Sequence, residues 1–379
     1  MSSSYPNQPP TNPATASGTR TRTWNISTNT LLGSVLTLAI AILIASTFGE
    51  GNIANLFGFK RLLSRSLASG SGITTVAISS SLFSSAPTSG KPASGLRFES
   101  TMRTPVYFLS HAKPNVMYEH EHPAYSKLGQ IGREITSKVK PSAVVVFSAH
   151  WQGGKDTVLV NTAEITDLIY DFYGFPDYYY KEKYPNVGNK EVANKVLHAL
   201  KEANIKAEGV KRGLDHGVWA SFKCAFEPDT NPLNVPIVQV SLFNTEDPIQ
   251  HYRLGQAISK LRDENILIIV SGMAVHNLRD MWFTMGDSKP LPYTASFDEA
   301  LKDAVTAAPE EREKKMVDLM KRQDARQAHP YFDHLLPIYI GAGAAGSDLG
   351  KRLWTFKEGS MSWAQFRFGE VGNSSGPVL

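Results

Sequence analysis

Three histidines follow short β-branched runs almost immediately: His111 after VYFLS, His150 after AVVVFSA and His276 after LIIVSGMAV. Imidazole titrates near neutrality and is the commonest metal ligand, so these positions suit proton transfer or metal binding. In open α/β sheets the carboxyl ends of the strands line the crevice where ligands bind. A lone histidine there is more often a partly buried residue bonded to backbone. Several uncharged imidazoles at one crevice reverse that expectation, because burying them is costly unless a metal or a polar network satisfies their nitrogens. Two more histidines have equally specific surroundings. Asp215-His216-Gly217-Val218-Trp219 sets an imidazole between an acid and a Gly/Trp turn, and Asp333-His334-Leu335-Leu336-Pro337 sets one at the mouth of an apolar helix. Asp333 either orients its neighbour or caps that helix; capping is favoured because the acid directly precedes the apolar run. His198 and His251 are assigned to polar helix faces, His120 and His122 of EHEHP to a solvated loop, and His329 is held in reserve as a pocket residue.

The elements that must position these residues alternate. Buried strands are expected at 106–109, 143–147, 237–242 and 266–270. Helical apolar spacing runs through 125–139, 190–203, 248–264 and 297–320, the last interrupted by Pro309. The expected fold is therefore α/β, a single catalytic domain with a mainly parallel central sheet flanked by helices. The 379 residues, 42% hydrophobic and 20% charged, suffice for such a core. The single cysteine, Cys224, excludes an intrachain disulfide framework and a cysteine-based zinc or iron–sulfur cluster, so a metal must be held by His and carboxylates. No P-loop sequence is present.

Residues 1–98 carry seven Lys and Arg against one acid, Glu50, whereas residues 99–379 carry 32 against 34. The body is slightly acidic, which argues against nucleic acid as a partner. Residues 1–30 read as a disordered leader, rich in Ser, Thr, Pro and Asn. Residues 31–48 (LLGSVLTLAIAILIASTF) form a nearly continuous apolar run of about the length that spans a bilayer. Three readings stay open: a membrane anchor, a mitochondrial-type targeting segment or a misplaced gene start. Residues 49–96 read as a Ser/Gly-rich tether, and the catalytic domain as 97–379. Localisation follows as membrane-anchored or mitochondrial, with a soluble catalytic domain.

Taken in order, PVYFLSH111, SAH150W, DFYGFP (171–176), DH216GVW, SGMAVH276NLR and H329PYFDH334LLPI resemble the LigB-type class III extradiol ring-cleavage dioxygenases, in particular the DOPA extradiol dioxygenase-like branch. The resemblance covers residues 104–345. It implies a mononuclear non-haem metal and oxygen-dependent cleavage of a catechol ring beside its two hydroxyls. It also implies that His111, His150 and His334 hold the metal, with His276 as fourth ligand or acid/base and His216 in the substrate pocket. The first motif departs from the usual S/G-H-G-[SG]-P: here it reads Ser110-His111-Ala112-Lys113-Pro114. Lys113 brings a cation towards the pocket, and an acidic substrate is favoured over impaired chemistry.

A catechol binds a divalent metal through both oxygens, and removing its protons needs a base titrating near neutrality. His276 is assigned that role and later proton donation. His216 is assigned stabilisation of developing negative charge. Dioxygen chemistry favours Fe(II), while an imidazole-rich site binds Zn(II) more tightly. The expected partners are thus a small-molecule catechol and O2, with a possible membrane tether through 31–48. The aromatic stretch 170–180 reads equally as a wall or lid over a planar ring and as a surface loop. Two competing readings are a zinc hydrolase on the same histidines, weakened by the absence of HExxH, and a non-catalytic membrane-tethered binding protein.

Overall fold

The structure, a computed structural model, describes residues 103–372 except 112, 166 and 285–287. The expected leader, apolar run and tether (1–96) lie outside the described residues. Among the described residues no helix is long and apolar enough to cross a membrane.

Eleven strands are described: β1 (Val106–Ser110), β2 (Ala143–Gln152), β3 (Thr157–Asn161), β4 (Lys206–Val210), β5 (Ile237–Leu242), β6 (Ile266–Gly272), β7 (Val275–His276), β8 (Gly350–Trp354), β9 (Lys357–Glu358), β10 (Met361–Ser362) and β11 (Gln365–Phe368). Eight make one sheet in the order β4-β3-β5-β2-β6-β1-β11-β8, and β7, β10 and β9 make a small second one. The four strands expected from sequence are the adjacent, mutually parallel centre β5-β2-β6-β1. The margins are antiparallel to that centre: β3 against β5 on one side, β11 against β1 on the other. The sheet is mixed, parallel where it is buried on both faces.

Alternate residues of the central strands feed two cores. Val106, Phe108, Val145 and Phe147 face one side; Tyr107, Leu109, Val144 and Val146 face the other. The first side is covered by helices that include Lys190–Glu202, Pro248–Ile258, Pro292–Val305, Pro309–Leu319 and Leu336–Ala345. The second is covered by Pro123–Glu134, His216–Ala225 and the aromatic stretch around Phe172, Tyr179 and Tyr184. Pro309 opens a new helix, as the sequence suggested.

Helix Leu336–Ala345 is buried along its whole length. Its glycines, together with Gly346, fit the pattern G-x-G-x-x-G, but the run closes a helix instead of following a strand and opening one, so the phosphate-loop context is missing. A Cβ on Gly343 would lie 1.9 Å from the carbonyl oxygen of Tyr252, so these glycines permit close helix packing. Two buried arginines, Arg262 and Arg312, close the far end of this helix by donating to the carbonyls of Ala342, Ala344, Ala345 and Gly346. The last carbonyls of a helix lack intrahelical partners, and these guanidiniums meet them, together with the Asp348 N–H on Ala345.

Candidate metal centre

His111 directly follows β1, His150 lies near the end of β2, and His334 stands two residues before helix Leu336–Ala345. Their ring centroids form a nearly equilateral triangle with sides of 5.0, 5.1 and 5.2 Å. One nitrogen from each lies within 4.8 Å of the others. The Nε2 atoms of His150 and His334 are 3.2 Å apart. Two nitrogens each about 2.05 Å from one ion at near-tetrahedral angles would be about 3.1–3.4 Å apart, so the pair fits a shared cation without rearrangement.

The opposite edge of each ring faces a polar side chain. The Ser271 hydroxyl donates to the Gly217 carbonyl, so the 3.1 Å contact between His111 Nδ1 and Ser271 Oγ uses an Nδ1–H. His150 Nδ1 lies 3.0 Å from Oδ2 of Asp171, and His334 Nδ1 lies 3.1 Å from Oδ1 of Asp333. These last two are charge contacts rather than aligned hydrogen bonds, and Asp171 Oδ2 and His334 Nδ1 are otherwise orphaned and buried. His111 thereby leaves an Nε2 lone pair for the common point, and the carboxylates beside His150 and His334 favour a proton on Nδ1 in those rings, the carboxylate–histidine arrangement usual behind a metal.

The electrostatics favour a cation. Burial, then the neighbouring imidazoles, hold His111 well below its ordinary pKa, and burial also lowers His334. Burial opposes protonation of His150 too, but Asp171, Asp215 and Asp333 outweigh it and raise its pKa. Carboxylates that draw a proton there would equally draw a metal ion. Asp171 itself is held far below the carboxylate range despite its burial, by His150 and His216. His334 brings Asp333 to about 2, again against burial.

His216 opens helix His216–Ala225 with Asp215 at the N-cap position; the expected Gly/Trp turn is the first turn of this helix. Asp171 Oδ1 accepts from both the backbone N–H (3.0 Å) and Nδ1 (2.8 Å) of His216. The ring stands 4.1 Å from that of His150. Asp215 is buried and accepts from Ser148 Oγ (2.7 Å), Arg212 (3.0 Å) and Gln239. It thus ties this helix to β2 just before His150. Gly217 is required here because a Cβ would lie 2.6 Å from Ser148 Oγ and 2.8 Å from the His150 ring.

The chain matches the family model for the catalytic LigB subunit of aromatic ring-opening dioxygenase over residues 105–367, a span that holds all five site histidines. The chain belongs to this family. It is an extradiol ring-cleavage dioxygenase. Among similar proteins, the 4,5-DOPA dioxygenase extradiol-like protein of Schizosaccharomyces pombe is 35% identical over 262 residues, covering 65% of this chain and 86% of that protein. The 4,5-DOPA dioxygenase extradiol of Beta vulgaris is 34% identical over 267 residues, covering 69% and 96%. A solved structure of an uncharacterized Escherichia coli K12 protein covers 70% of this chain and all of its own at 27% identity, with a TM-score of 0.57.

Within this LigB domain, His276 lies in β7 and stacks on His334, ring centroids 3.8 Å apart and planes 7° off parallel. It is not among the nitrogens that converge within 4.8 Å. Face-to-face stacking sets its ring beside the histidine triangle. Burial, then His334, hold its pKa well below the ordinary value. Lys113 is half-buried at the start of the short 3-10 turn Pro114–Met117.

Other expectations are corrected. Asp333 does not cap the helix after it: Leu335 occupies the cap position without a side-chain bond, and Asp333 instead accepts from the His334 N–H at 2.8 Å. His251 is fully buried, its Nδ1 2.8 Å from the Asp247 carbonyl, rather than on a polar face. His329 is buried outside the cluster and donates to the Ala274 carbonyl at 3.0 Å. His122 is no free loop residue: its Nδ1 accepts from Ala124 N–H and caps helix Pro123–Glu134. Phe172 packs edge-on against His216 at 5.4 Å, so the aromatic stretch walls the site, with Tyr173 left in solvent. Sequence reasoning missed Asp171 as the residue joining His150 to His216; its signal was an acid opening DFYGFP, read there only for its aromatics.

Proposed function

We propose that the enzyme opens the ring of a catechol, DOPA-like in kind, using dioxygen at a single divalent metal held by His111, His150 and His334. The carrying observation is the convergence of three imidazoles whose outer edges are each tied to Ser271, Asp171 or Asp333. Relatives named 4,5-DOPA dioxygenase support the substrate class. Fe(II) is the catalytic metal on this reading, because activating dioxygen beside the substrate needs a redox-active ion; Zn(II) can occupy the same nitrogens.

The chain's own groups supply the proton traffic. His276, kept neutral by burial, accepts a proton from a catechol hydroxyl and returns it after ring opening. His216, its Nδ1 engaged by Asp171, directs its other edge at negative charge that develops on the oxygenated ring. Phe172 and its aromatic neighbours exclude water from that side. Lys113 attracts a carboxylate on the substrate side chain. Residues 31–48 act as anchor or targeting segment, which fractionation with and without them would test.

The direct experiment is anaerobic reconstitution with Fe(II), then oxygen uptake against a catechol panel that includes DOPA. The expected result is one O2 consumed per ring opened. Oxygen uptake equal to that of the metal-free protein would overturn the proposal.

A further inference from the structure

His150 turns both of its edges to ligating neighbours. Its Nε2 faces His334 and the triangle, while its Nδ1 lies 3.0 Å from Asp171 Oδ2. Across the same carboxylate, Asp171 Oδ1 stands 2.8 Å from His216 Nδ1, and the His150 and His216 rings are 4.1 Å apart at 61°. One ligand atom from each of His150, Asp171 and His216 lies within 4.8 Å of the others, the same closeness that marks the triangle. Two imidazoles and a carboxylate therefore gather at a second point, with the His150 ring between it and the first.

Two details set this group apart from an ordinary hydrogen-bond network. The contact between His150 Nδ1 and Asp171 is short but not aligned for a hydrogen bond, and Asp171 Oδ2 is buried with no hydrogen-bond partner among the described residues. A shared proton lies close to the line between donor and acceptor, whereas a metal ion lies off it, at the apex of the angle its ligands make. Two ligands about 2.05 Å from one ion at near-tetrahedral angles stand about 3.1–3.4 Å apart, so the present contacts need only slight spreading to admit one. The His150 and Asp171 side chains keep 20% and 24% of their surface in solvent, which gives an ion a way in without unfolding. Two nitrogens and one carboxylate favour a borderline divalent ion, Zn(II) or Cu(II), over Mg(II) or Ca(II).

We propose that His150, Asp171 and His216 form a second divalent-cation seat, which shares His150 with the triangle and slows the enzyme when filled. The incoming ion forms one bond to each imidazole and one to Asp171, the two Nδ1 protons leave to solvent, and nothing is oxidised or reduced. His150 becomes an imidazolate bridge between two ions. The second ion binds more weakly than the first, because like charges repel across the shared ring, and dialysis removes it. It also takes over the Nδ1 edge by which Asp171 directs His216, so the opposite edge no longer meets charge developing on the oxygenated ring. The sharing rests on the metal centre proposed above, and the slowing on the ring-cleavage reading.

Cu(II), added to the full chain free of iron, reads the sharing directly. Two Cu(II) ions joined through one imidazolate couple antiferromagnetically. Electron paramagnetic resonance at liquid-helium temperature should therefore rise to one spin per chain with the first equivalent and fall with the second. A signal that climbs to two independent spins, or a second equivalent that does not bind, overturns the seat. His216→Ala should hold the first equivalent and lose the second, counted by equilibrium dialysis; a second equivalent of unchanged affinity overturns the assignment. In the Fe(II)-loaded chain, Zn(II) should slow oxygen uptake on DOPA about 10²-fold with iron retained, and leave His216→Ala at its own rate. Equal slowing of both proteins, or slowing matched by lost iron, overturns the inhibitory role. Should the variant fail to fold, the wild-type spin count still decides. If the spins couple but the Fe(II)-loaded chain opens no ring, the ring-cleavage proposal fails while the seat stands; if no ion binds at all, both fail.

Discussion

On one flank of the histidine triangle, His216 is gripped by Asp171 through both backbone and ring; on the other, His276 touches its neighbour His334 by stacking, and neither of its ring nitrogens has a hydrogen-bond partner among the described residues. His216 is buried and His276 partly exposed; the first has a fixed tautomer and the second does not. A ring that must take up and release a proton gains from having neither nitrogen committed, whereas a ring that aims a fixed dipole gains from being pinned. The difference matches the two roles proposed for them, and the sequence sets the two in different surroundings, His276 after a β-branched run and His216 between an acid and a Gly/Trp turn.

The widest test of the comparison is to remove the triangle that both flanks share. His334→Ala should abolish metal retention, measured by elemental analysis after dialysis, and bring oxygen uptake to background. His276→Ala and His216→Ala should both keep the metal. The His276 variant should lose about 10³-fold in kcat and the His216 variant about 10²-fold. Metal loss in either would erase the distinction between ligand and flank. The pH profiles should then separate the two. Burial lowers the His276 pKa below about 6.5, so activity in wild type should fall as pH drops and protonates the base, and this acid limb should vanish in His276→Ala but persist in His216→Ala.

Asp171→Asn targets the pinned flank alone. Removing the carboxylate behind His150 and His216 should weaken metal binding by roughly 10–100-fold, read by competition with a chelator. It should leave the acid limb belonging to His276 in place; a shifted limb would mean the flanks are coupled. The smallest expected effect is at Lys113, outside both. Lys113→Gly should raise KM for a carboxylated catechol a few-fold with little change in kcat, and do almost nothing for an uncharged one. Equal effects on both substrates would mean that this cation does not read the tail.

Much of this arrangement was legible in sequence because its parts are local. Three of the four central strands carry continuous apolar runs, and the fourth, IVQVSL, is broken only by the buried Gln239 and Ser241, which is close to what burial on both faces demands. The histidines could be placed because they follow those runs within a few residues. The antiparallel margins were not legible: β4 (KAEGV) has little apolar character, and β11 (QFRF) pairs with β1 across more than 250 residues of chain. Helix His216–Ala225 escaped for a different reason. Nearly every residue in it is buried, so it lacks the polar face from which a helical period is read. Asp171 belongs to a third class, since its meaning depends on two partners that only the tertiary fold supplies.

Gly272, at the end of β6, has no room for a side chain: a Cβ would fall 2.3 Å from the carbonyl oxygen of His334, which also accepts from the Met273 N–H at 2.8 Å. His334 is thereby registered against main chain, which every sequence of this fold possesses, as well as against the Asp333 carboxylate beside it. The floor of the site is held by main chain at Gly272 and Met273, whereas on the wall Lys113, His122 and Glu358 meet a solvent cavity through their side chains alone. Divergence among descendants of this enzyme should accumulate in that wall, where a new substrate can be tried without disturbing the ligands beneath it.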